Sequence, residues 1–318
     1  MLYSVNANLS VSREIAHDTA LTVTYLFTRG DHIPIVRNIN LVPSGLQLAD
    51  GRPIFGTARV YPGFGNILTA ESVGQSEYNA LNVTLRRRLS RGLEVFASYT
   101  WSHALDDAPE QNVIDSANFF LSDPTNCRRD RSNSLTDRPN VFNGNLVYTP
   151  EWKGRSQTLR RLLNGNRIAI LAVMQSGDVF NMRSNLILNG DPSTPSAFQR
   201  PLFIGRNTIR GPWISEFNVR YSRLFPLGER FRLEFIAEST NVFNHTNVVG
   251  LNSTATVNLA GNIIGPPSLA WTTALDQRLL QLGSNLVFEA YNKDKEHSIA
   301  LYLASDVMLL LPLCHSKC

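Results

Sequence analysis

The sequence is poor in charge, poor in cysteine and free of long apolar runs. Only 18% of its 318 residues are charged, which is low for a soluble protein. The longest apolar run, Ile299 to Leu313, is broken by Ser305 and Asp306 and is too short for a transmembrane helix, which needs about 20 residues. Low charge without a spanning helix fits two classes: a soluble β-sandwich or solenoid, and a membrane β-barrel.

Cysteine usage and charge distribution exclude further classes. The three cysteines at 127, 314 and 318 include no CxxC pair and are odd in number, which argues against a zinc site and a disulfide framework. The net charge is +4, and the densest basic clusters lie at 86–88 and 128–129. Neither cluster is interleaved with the stacking aromatics of a nucleic-acid groove. We therefore expect no nucleic-acid partner.

The dominant signal is an alternation of apolar and polar residues with a period of two. Successive strand residues face opposite sides of a sheet, so each such segment has one apolar and one polar face. The pattern predicts nine antiparallel strands, which include these segments: Tyr3–Val11, Leu21–Phe27, Leu81–Leu89, Leu93–Trp101, Phe142–Tyr148, Ile168–Met174, Phe217–Tyr221, Phe231–Ala237 and Leu280–Phe288.

Strand length and connection length favour the membrane barrel. A membrane-spanning strand needs about 9–11 residues, whereas soluble strands have about five or six. Most of the predicted strands, which extend beyond these segments, are nine to thirteen residues long. Tight turns are predicted at 89–92 and 226–229, and long polar connections at about 30–77, 103–138, 177–212 and 243–276. Outer-membrane barrels combine short periplasmic turns with long extracellular loops, which compact soluble domains rarely do.

The polar face of several full-length strands carries charged residues. A charge at mid-depth in lipid costs about 2–4 kcal/mol, so these residues should face a wet, concave lumen: Arg86, Arg88, Glu94, Arg220, Arg232, Glu234 and Glu238. The apolar residues should share the convex, outward face: Leu81, Val83, Leu85, Leu93, Val95, Phe217, Val219, Phe231, Leu233 and Phe235. The alternative is a soluble sheet, with the apolar set packed between two sheets and the charges in solvent.

Five collinear blocks within residues 2–288 carry a family resemblance. They are YLFTRGDHIPIVRNIN (25–40), SEYNALNVTLRRRLSRGLEVFASYTWSHALDD (76–107), DRPNVFNGNLVYTP (137–150), GRNTIRGPWISEFNVRYSRLFPLGERFRLEFIAESTNVFNHTN (205–247) and LDQRLLQLGSNLVF (275–288). These blocks resemble TonB-dependent receptor-like barrels of the Oar type. The resemblance implies an outer-membrane location and a closed barrel of about 22 strands. It also implies an N-terminal regulatory-like domain and plug.

The sequence departs from that family at both ends. It starts within the barrel and without a signal peptide, so we expect the natural N-terminus to lie upstream. Residues 1–288 form the predicted C-terminal portion of the barrel, incomplete by itself, with the first strand and the strand ending at Phe288 as unpaired edges. Residues 289–318 lack barrel alternation and form a predicted non-barrel tail. A frameshifted or mispredicted gene end and a genuine periplasmic amphipathic tail remain alternative explanations of it.

No residue pattern in the sequence indicates catalysis or a cofactor. The six histidines lack metal-ligand spacing, and His245 is interpreted as a rim or loop residue. Ser102, His103, Asp106 and Asp107 contain triad residue types without a nucleophile elbow, and the glycines of 63–65 lack a dinucleotide fingerprint. We therefore predict no enzyme, no catalytic residue, no cofactor and no metal.

Two sets of residues at the strand ends keep alternative interpretations. Tyr99 and Trp101 are predicted to belong to the outer aromatic girdle, with a soluble core as the alternative. The acidic loop residues are interpreted as solvated loop polarity, with a Ca²⁺ site at the extracellular rim as the alternative: Asp106, Asp107, Glu110, Asp123, Asp130 and Asp137.

The function expected from this sequence is transport or surface interaction as part of a larger outer-membrane protein. The expected partners are outer-membrane lipid, the N-terminal strands and plug, and the TonB system that acts through them. A non-transporting surface barrel in adhesion or secretion is the first alternative, and a soluble secreted β-sandwich the second. The substrate stays open, because its recognition belongs to loops and plug.

Overall fold

A computed structural model of the chain describes residues 1–107, 121–190, 199–228, 231–290 and 299–305. It contains a 3₁₀ helix at Cys127–Asp130 and one α-helix, α1, at Gln157–Leu163. In the described residues, no helix is long and apolar enough to span a membrane. The strands in chain order are β1 Tyr3–Ala16, β2 Thr19–Asn38, β3 Pro43–Gln47, β4 Pro53–Phe55, β5 Leu68–Ser90, β6 Leu93–Asp106, β7 Ser132–Asn133, β8 Asn140–Tyr148, β9 Asn166–Gln175, β10 Val179–Phe180, β11 Arg183–Ser184, β12 Ile209–Arg210, β13 Ile214–Pro226, β14 Phe231–Thr240, β15 Val248–Leu251, β16 Thr254–Val257, β17 Ile263–Gly265, β18 Trp271–Ala274, β19 Leu279–Ala290 and β20 Ile299–Ser305.

One large antiparallel sheet contains all nine predicted strands. Its order is β1-β2-β5-β6-β8-β9-β13-β14-β19-β20, with the short β7 paired to β6. The predicted strands correspond to the first nine members of this series, each beside its neighbour in sequence. The prediction of about nine long antiparallel strands is therefore confirmed. In the described part of the chain no pairing joins β1 to β20, so the sheet is an open segment of a barrel.

The register places apolar and polar residues in separate rows across the sheet. Residues paired directly across antiparallel strands point to the same side. One row is apolar over most of its length and reads Val11, Val23, Val83, Tyr99, Phe142 and Met174. The row one residue further along reads Ser12, Thr22, Thr84, Ser98 and Asn143. The sheet thus has an apolar face and a polar face, as the alternation predicted.

The apolar face is not covered by another sheet. Leu9 on β1 is 70% exposed and Trp101 on β6 is 63% exposed. A soluble β-sandwich would bury both residues between two sheets. The soluble alternative is therefore wrong, and Tyr99 and Trp101 lie on the outward, lipid-facing side rather than in a soluble core.

Tight turns lie at one end of the sheet. Residues Arg91 and Gly92 join β5 to β6 with φ values of 52° and 77°. Positive φ at both central residues defines a type I′ turn, whose twist matches the paired strands. The β13–β14 hairpin closes with a hydrogen bond from the Leu227 N–H to the Phe231 carbonyl (2.8 Å). Both predicted hairpins are therefore confirmed; Glu229 lies outside the described residues.

β2 and β5 extend far into a connection that was predicted from the sequence. The connection expected at 30–77 spans 39–67, because residues 29–38 of β2 pair with 68–77 of β5. The pairing there is interrupted by register shifts around Ile33, and His32 adopts a φ of 61°. Each irregularity moves following side chains out of the period-two pattern, so the sequence did not reveal this extension.

The prediction that the strand ending at Phe288 is an unpaired edge of the sheet is wrong. β20 lies in the segment that was expected to be a non-barrel tail. It pairs antiparallel with β19, with Ile299 opposite Ala290 at one end and Ser305 opposite Ser284 at the other. The first strand, by contrast, lies at the end of the sheet, as expected. Whether residues 289–318 form a separate unit stays a prediction.

Candidate functional site

The polar face of the sheet is its concave side. A depression of about 520 Å³ runs across β1, β2, β5 and β6 and is lined mainly by polar and charged side chains. Arg86 and Arg88 line it, together with hydroxyl-bearing residues of the neighbouring strands. Further along the sheet, Glu234 lines a cavity of about 220 Å³ and Glu238 lines one of about 180 Å³. These four charged side chains therefore point towards the lumen, as predicted.

Side chains on the concave face bond to one another across strands. Ser12 and Thr22 hydroxyls are 2.9 Å apart. The Asn82 amide donates to the hydroxyls of Ser98 (2.9 Å) and Thr100 (2.8 Å). A wall of hydroxyl, amide and charged groups exchanges hydrogen bonds readily with water and hydrophilic solutes. This face can line an aqueous passage.

The four long connections build a packed layer at the opposite end from the tight turns. We call it the loop assembly and define it as residues 39–67, 121–139, 176–190, 199–213 and 241–278. It contains four small sheets, β3-β4, β10-β12, β11-β16-β17 and β15-β18. Leu48, Leu188, Leu202 and Val257 form a buried apolar cluster that joins three of the connections. Such a core gives the layer a defined shape.

Buried arginines connect the loop assembly to the end of β6. Arg206 is 1% exposed, pairs with the Asp106 carboxylate and donates to the carbonyl oxygens of Asp106 (2.7 Å) and Asp130 (2.8 Å). Arg200 pairs with Asp130 and donates to the Ser122 hydroxyl (2.7 Å). Charge-assisted bonds of this kind satisfy groups that burial would otherwise destabilise.

The loop carboxylates predicted to be solvated are mostly buried. Asp107, Asp123, Asp130 and Asp137 are each no more than 2% exposed, so that interpretation is wrong for them. Asp137 pairs with Arg210 and accepts the Ala104 N–H (2.8 Å). Arginines and backbone amides thus occupy carboxylate oxygens that a Ca²⁺ site would use.

Two further carboxylates of this set, Asp123 and Asp107, also have partners within the protein. Asp123 pairs with Arg129 (3.0 Å), and Asp107 accepts the Gln75 N–H, while burial raises the pKa of the Asp107 carboxyl. Glu110, the sixth predicted position, lies outside the described residues. Within the described ranges, no three His, Cys, Asp or Glu side chains are grouped as a metal site would require.

The triad-like residues of β6 do not form a triad. The Ser102 hydroxyl donates to the Arg138 carbonyl (2.8 Å), and the His103 Nδ1 lies 3.4 Å from Asp137. Their side chains point to opposite faces, since they are adjacent on one strand. His245 lies in the connection after β14, where its Nδ1 is 2.9 Å from the Asn247 amide oxygen, in agreement with the predicted loop position.

An open cleft of about 460 Å³ lies within the loop assembly. Arg183, Asn181, Phe180 and the ion pair of Arg138 with Asp178 contribute to its walls. Sequence reasoning missed both this cleft and the buried arginines at 200 and 206. Their partners lie 70 and 100 residues away in sequence, so no local pattern marks them.

Comparisons with known proteins give a family match and a structural match. A family model described as outer membrane beta barrel domain matches residues 1–281. A search of curated proteins finds no match. Among solved structures, the outer membrane transporter YddB from Escherichia coli is similar with a TM-score of 0.49 and 9% identity, over 89% of this chain and 32% of that one. The chain thus spans about a third of that transporter's length. The chain belongs to the outer membrane beta barrel domain family, and its place is the outer membrane.

Proposed function

We propose that the chain is part of an outer-membrane transporter or receptor barrel that admits a hydrophilic ligand from the extracellular side. The observation that carries this proposal is the combination of a polar concave face with a packed loop assembly at one end of it. A lumen wall alone would suit many barrels. A shaped loop layer with an open cleft adds a surface that can select a ligand before it reaches the lumen.

The proposal extends to energy coupling through TonB. The five blocks that resemble TonB-dependent receptor-like barrels of the Oar type support it. The coupling would act through a plug and an N-terminal segment, which the resemblance implies. The role we propose is not catalytic, and the ligand's identity stays open.

Ion selectivity of the full-length protein tests the lumen. We would reconstitute it in planar bilayers and measure the reversal potential in a KCl gradient. Arg86→Glu with Arg88→Glu should shift selectivity towards cations, because lumen charges act directly on permeating ions. The control Arg128→Glu, on an exposed loop residue, should leave the potential unchanged. Equal shifts in both variants, or none, would contradict the lumen assignment.

A second measurement separates a transporter from a non-transporting surface barrel. Purified full-length protein would be cross-linked to the isolated periplasmic domain of TonB. A cross-link that depends on the protein's N-terminal segment supports energy-coupled transport. Its absence in a correctly folded, heat-modifiable protein favours the surface barrel.

A further inference from the structure

The connection between β8 and β9, at the tight-turn end of the sheet, contains the helix α1. We call residues 149–165 the inner-end segment. Its helix α1 buries none of its residues. Leu159, Leu162 and Leu163 are 39%, 55% and 36% exposed, and Trp152 is 37% exposed. Residues three and four apart lie on one helix face, so the three leucines form an uncovered apolar stripe.

The inner-end segment folds as one unit. The Ser156 hydroxyl caps α1 by accepting the Leu159 N–H (3.4 Å). At the other end, the Asn164 amide oxygen accepts the Trp152 N–H (2.6 Å). The backbone of Trp152, near the start of the segment, is therefore held beside the end of the helix.

Side chains of the lipid-facing surface hold this unit in place. Arg223 and Tyr221 alternate along β13 with lumen residues and share the side of Val219. The Arg223 guanidinium donates to the Arg161 carbonyl (2.8 Å). The Tyr221 hydroxyl donates to the Asn166 amide oxygen (2.6 Å), and Asn166 donates to the Leu162 carbonyl (2.6 Å). The helix is thus fastened to the outer wall, not to the lumen.

The charge of the segment is strongly positive. The segment contains four basic residues, Lys153, Arg155, Arg160 and Arg161, and one acidic residue, Glu151. The Glu151 carboxylate lies 3.5 Å from the Lys153 ammonium. Short turns of outer-membrane barrels are periplasmic, so this positive unit stands where the apolar wall meets the periplasmic leaflet. Basic amphipathic helices with leucine and tryptophan bind anionic interfaces.

We propose that the inner-end segment is an interfacial anchor that binds anionic phospholipid in the periplasmic leaflet. The leucine stripe and Trp152 enter the boundary between headgroups and acyl chains, and the arginines bind headgroup phosphates. The occupant follows from the continuity of the helix with the lipid-facing wall and from its charge. The inference rests on the outer-membrane location and is independent of whether the protein transports a ligand.

A lipid-quenching experiment on the full-length protein tests the proposal. Native cysteines are replaced by serine, and a fluorophore is attached to Leu162→Cys. The protein is reconstituted in vesicles of phosphatidylcholine mixed with phosphatidylglycerol, with brominated acyl chains on one lipid at a time. We expect both brominated lipids to quench the fluorophore. We also expect phosphatidylglycerol to be enriched around the helix, relative to its fraction in the whole vesicle. Arg160→Gln with Arg161→Gln should lower the enrichment by roughly fivefold per arginine.

The matched control removes two arginines from the lumen at the same end of the sheet, Arg86→Gln with Arg88→Gln, and should leave the enrichment unchanged. Heat-modifiable migration verifies that each variant is folded. Absence of quenching would place the helix in water and overturn the proposal. If the protein with all its arginines were quenched by the two lipids in proportion to their bulk fractions, the proposed selectivity for anionic lipid would be overturned. The proposal would also be overturned if, in cells, the fluorophore at position 162 were shielded from solvent by a periplasmic protein that can be cross-linked to it, rather than by lipid.

Discussion

At the scale of single residues, buried arginines are the most consequential feature of the loop assembly. Arg206 joins Asp106, at the end of a membrane strand, to Asp130 in the following connection. Removing one partner of a buried ion pair destabilises far more than the pair's net contribution, because the remaining charge stays desolvated. The extracellular layer should therefore depend on a few such contacts.

Arg206→Met should destabilise the loop assembly by about 3–5 kcal/mol. Amides of residues 121–139 would then exchange at least on the order of 100-fold faster, measured by hydrogen exchange on the folded full-length protein. Arg131→Gln is the matched control, because Arg131 forms a half-exposed pair with Glu77 at 3.5 Å. Comparable exchange in the two variants would contradict the importance of burial.

The pH dependence of the loop assembly should carry a contribution from Asp107. Burial raises the pKa of this carboxyl, so the folded state binds its proton more tightly than the unfolded state does. This contribution to stability therefore rises as the pH falls through the raised pKa, and levels off below the ordinary aspartate pKa. Asp107→Asn keeps an oxygen to accept the Gln75 N–H.

Hydrogen exchange, corrected for the intrinsic pH dependence of amide exchange, measures this effect. The variant should be more stable than the native protein near neutral pH, and the difference should shrink in acid. A difference that grows in acid would mean that the carboxylate is stabilised in the folded state.

At the scale of elements, the period-two pattern succeeded wherever strands are regular. β6, for example, pairs in uninterrupted register with β8 from Leu93 to Trp101. The pattern failed in the outer half of β2, which was predicted to belong to a long polar connection and which has a bulged register at Ile33. Such irregular pairing is stabilised by the neighbouring strand and leaves no alternation in the sequence.

Adjacent substitutions on β5 test which face meets lipid. Val83→Arg places a charge in the apolar row at mid-strand and should cost about 2–4 kcal/mol. Thr84→Arg points into the 520 Å³ depression and should cost little. The free energy of unfolding in lipid vesicles, measured for the full-length protein in guanidinium, compares the two. A larger loss for Thr84→Arg would reverse the assignment of faces.

At the scale of the whole molecule, the sheet is open. All fourteen residues of β1 are exposed, and β1 has a partner on one side only. In lipid each unsatisfied backbone group costs several kcal/mol, so a spanning sheet must close. Further strands of the full barrel would complete the pairing of β1.

Residues 1–318, expressed alone with a signal peptide, should therefore not give a compact, heat-modifiable monomer in outer-membrane extracts. The expected products are inclusion bodies or self-associated sheets, because exposed edges pair with one another. Co-expression with the strands that we propose complete the barrel is the control and should restore heat-modifiable migration. A monomer that conducts ions in a planar bilayer without those strands would show that the chain closes unaided.

Nine strands of the large sheet, their two faces and two hairpins could be predicted from the sequence alone. These are local properties, because side-chain direction repeats every two residues and a turn such as Arg91–Gly92 is defined within a few positions. The packing of the connections could not be predicted, because it depends on contacts across the folded molecule. The pairing of Arg206 with Asp106, the apolar cluster around Leu202 and the attachment of α1 through Arg223 join positions remote in sequence. These contacts depend on strand register and on the burial of charges. Neither can be predicted from a pattern that repeats every two residues.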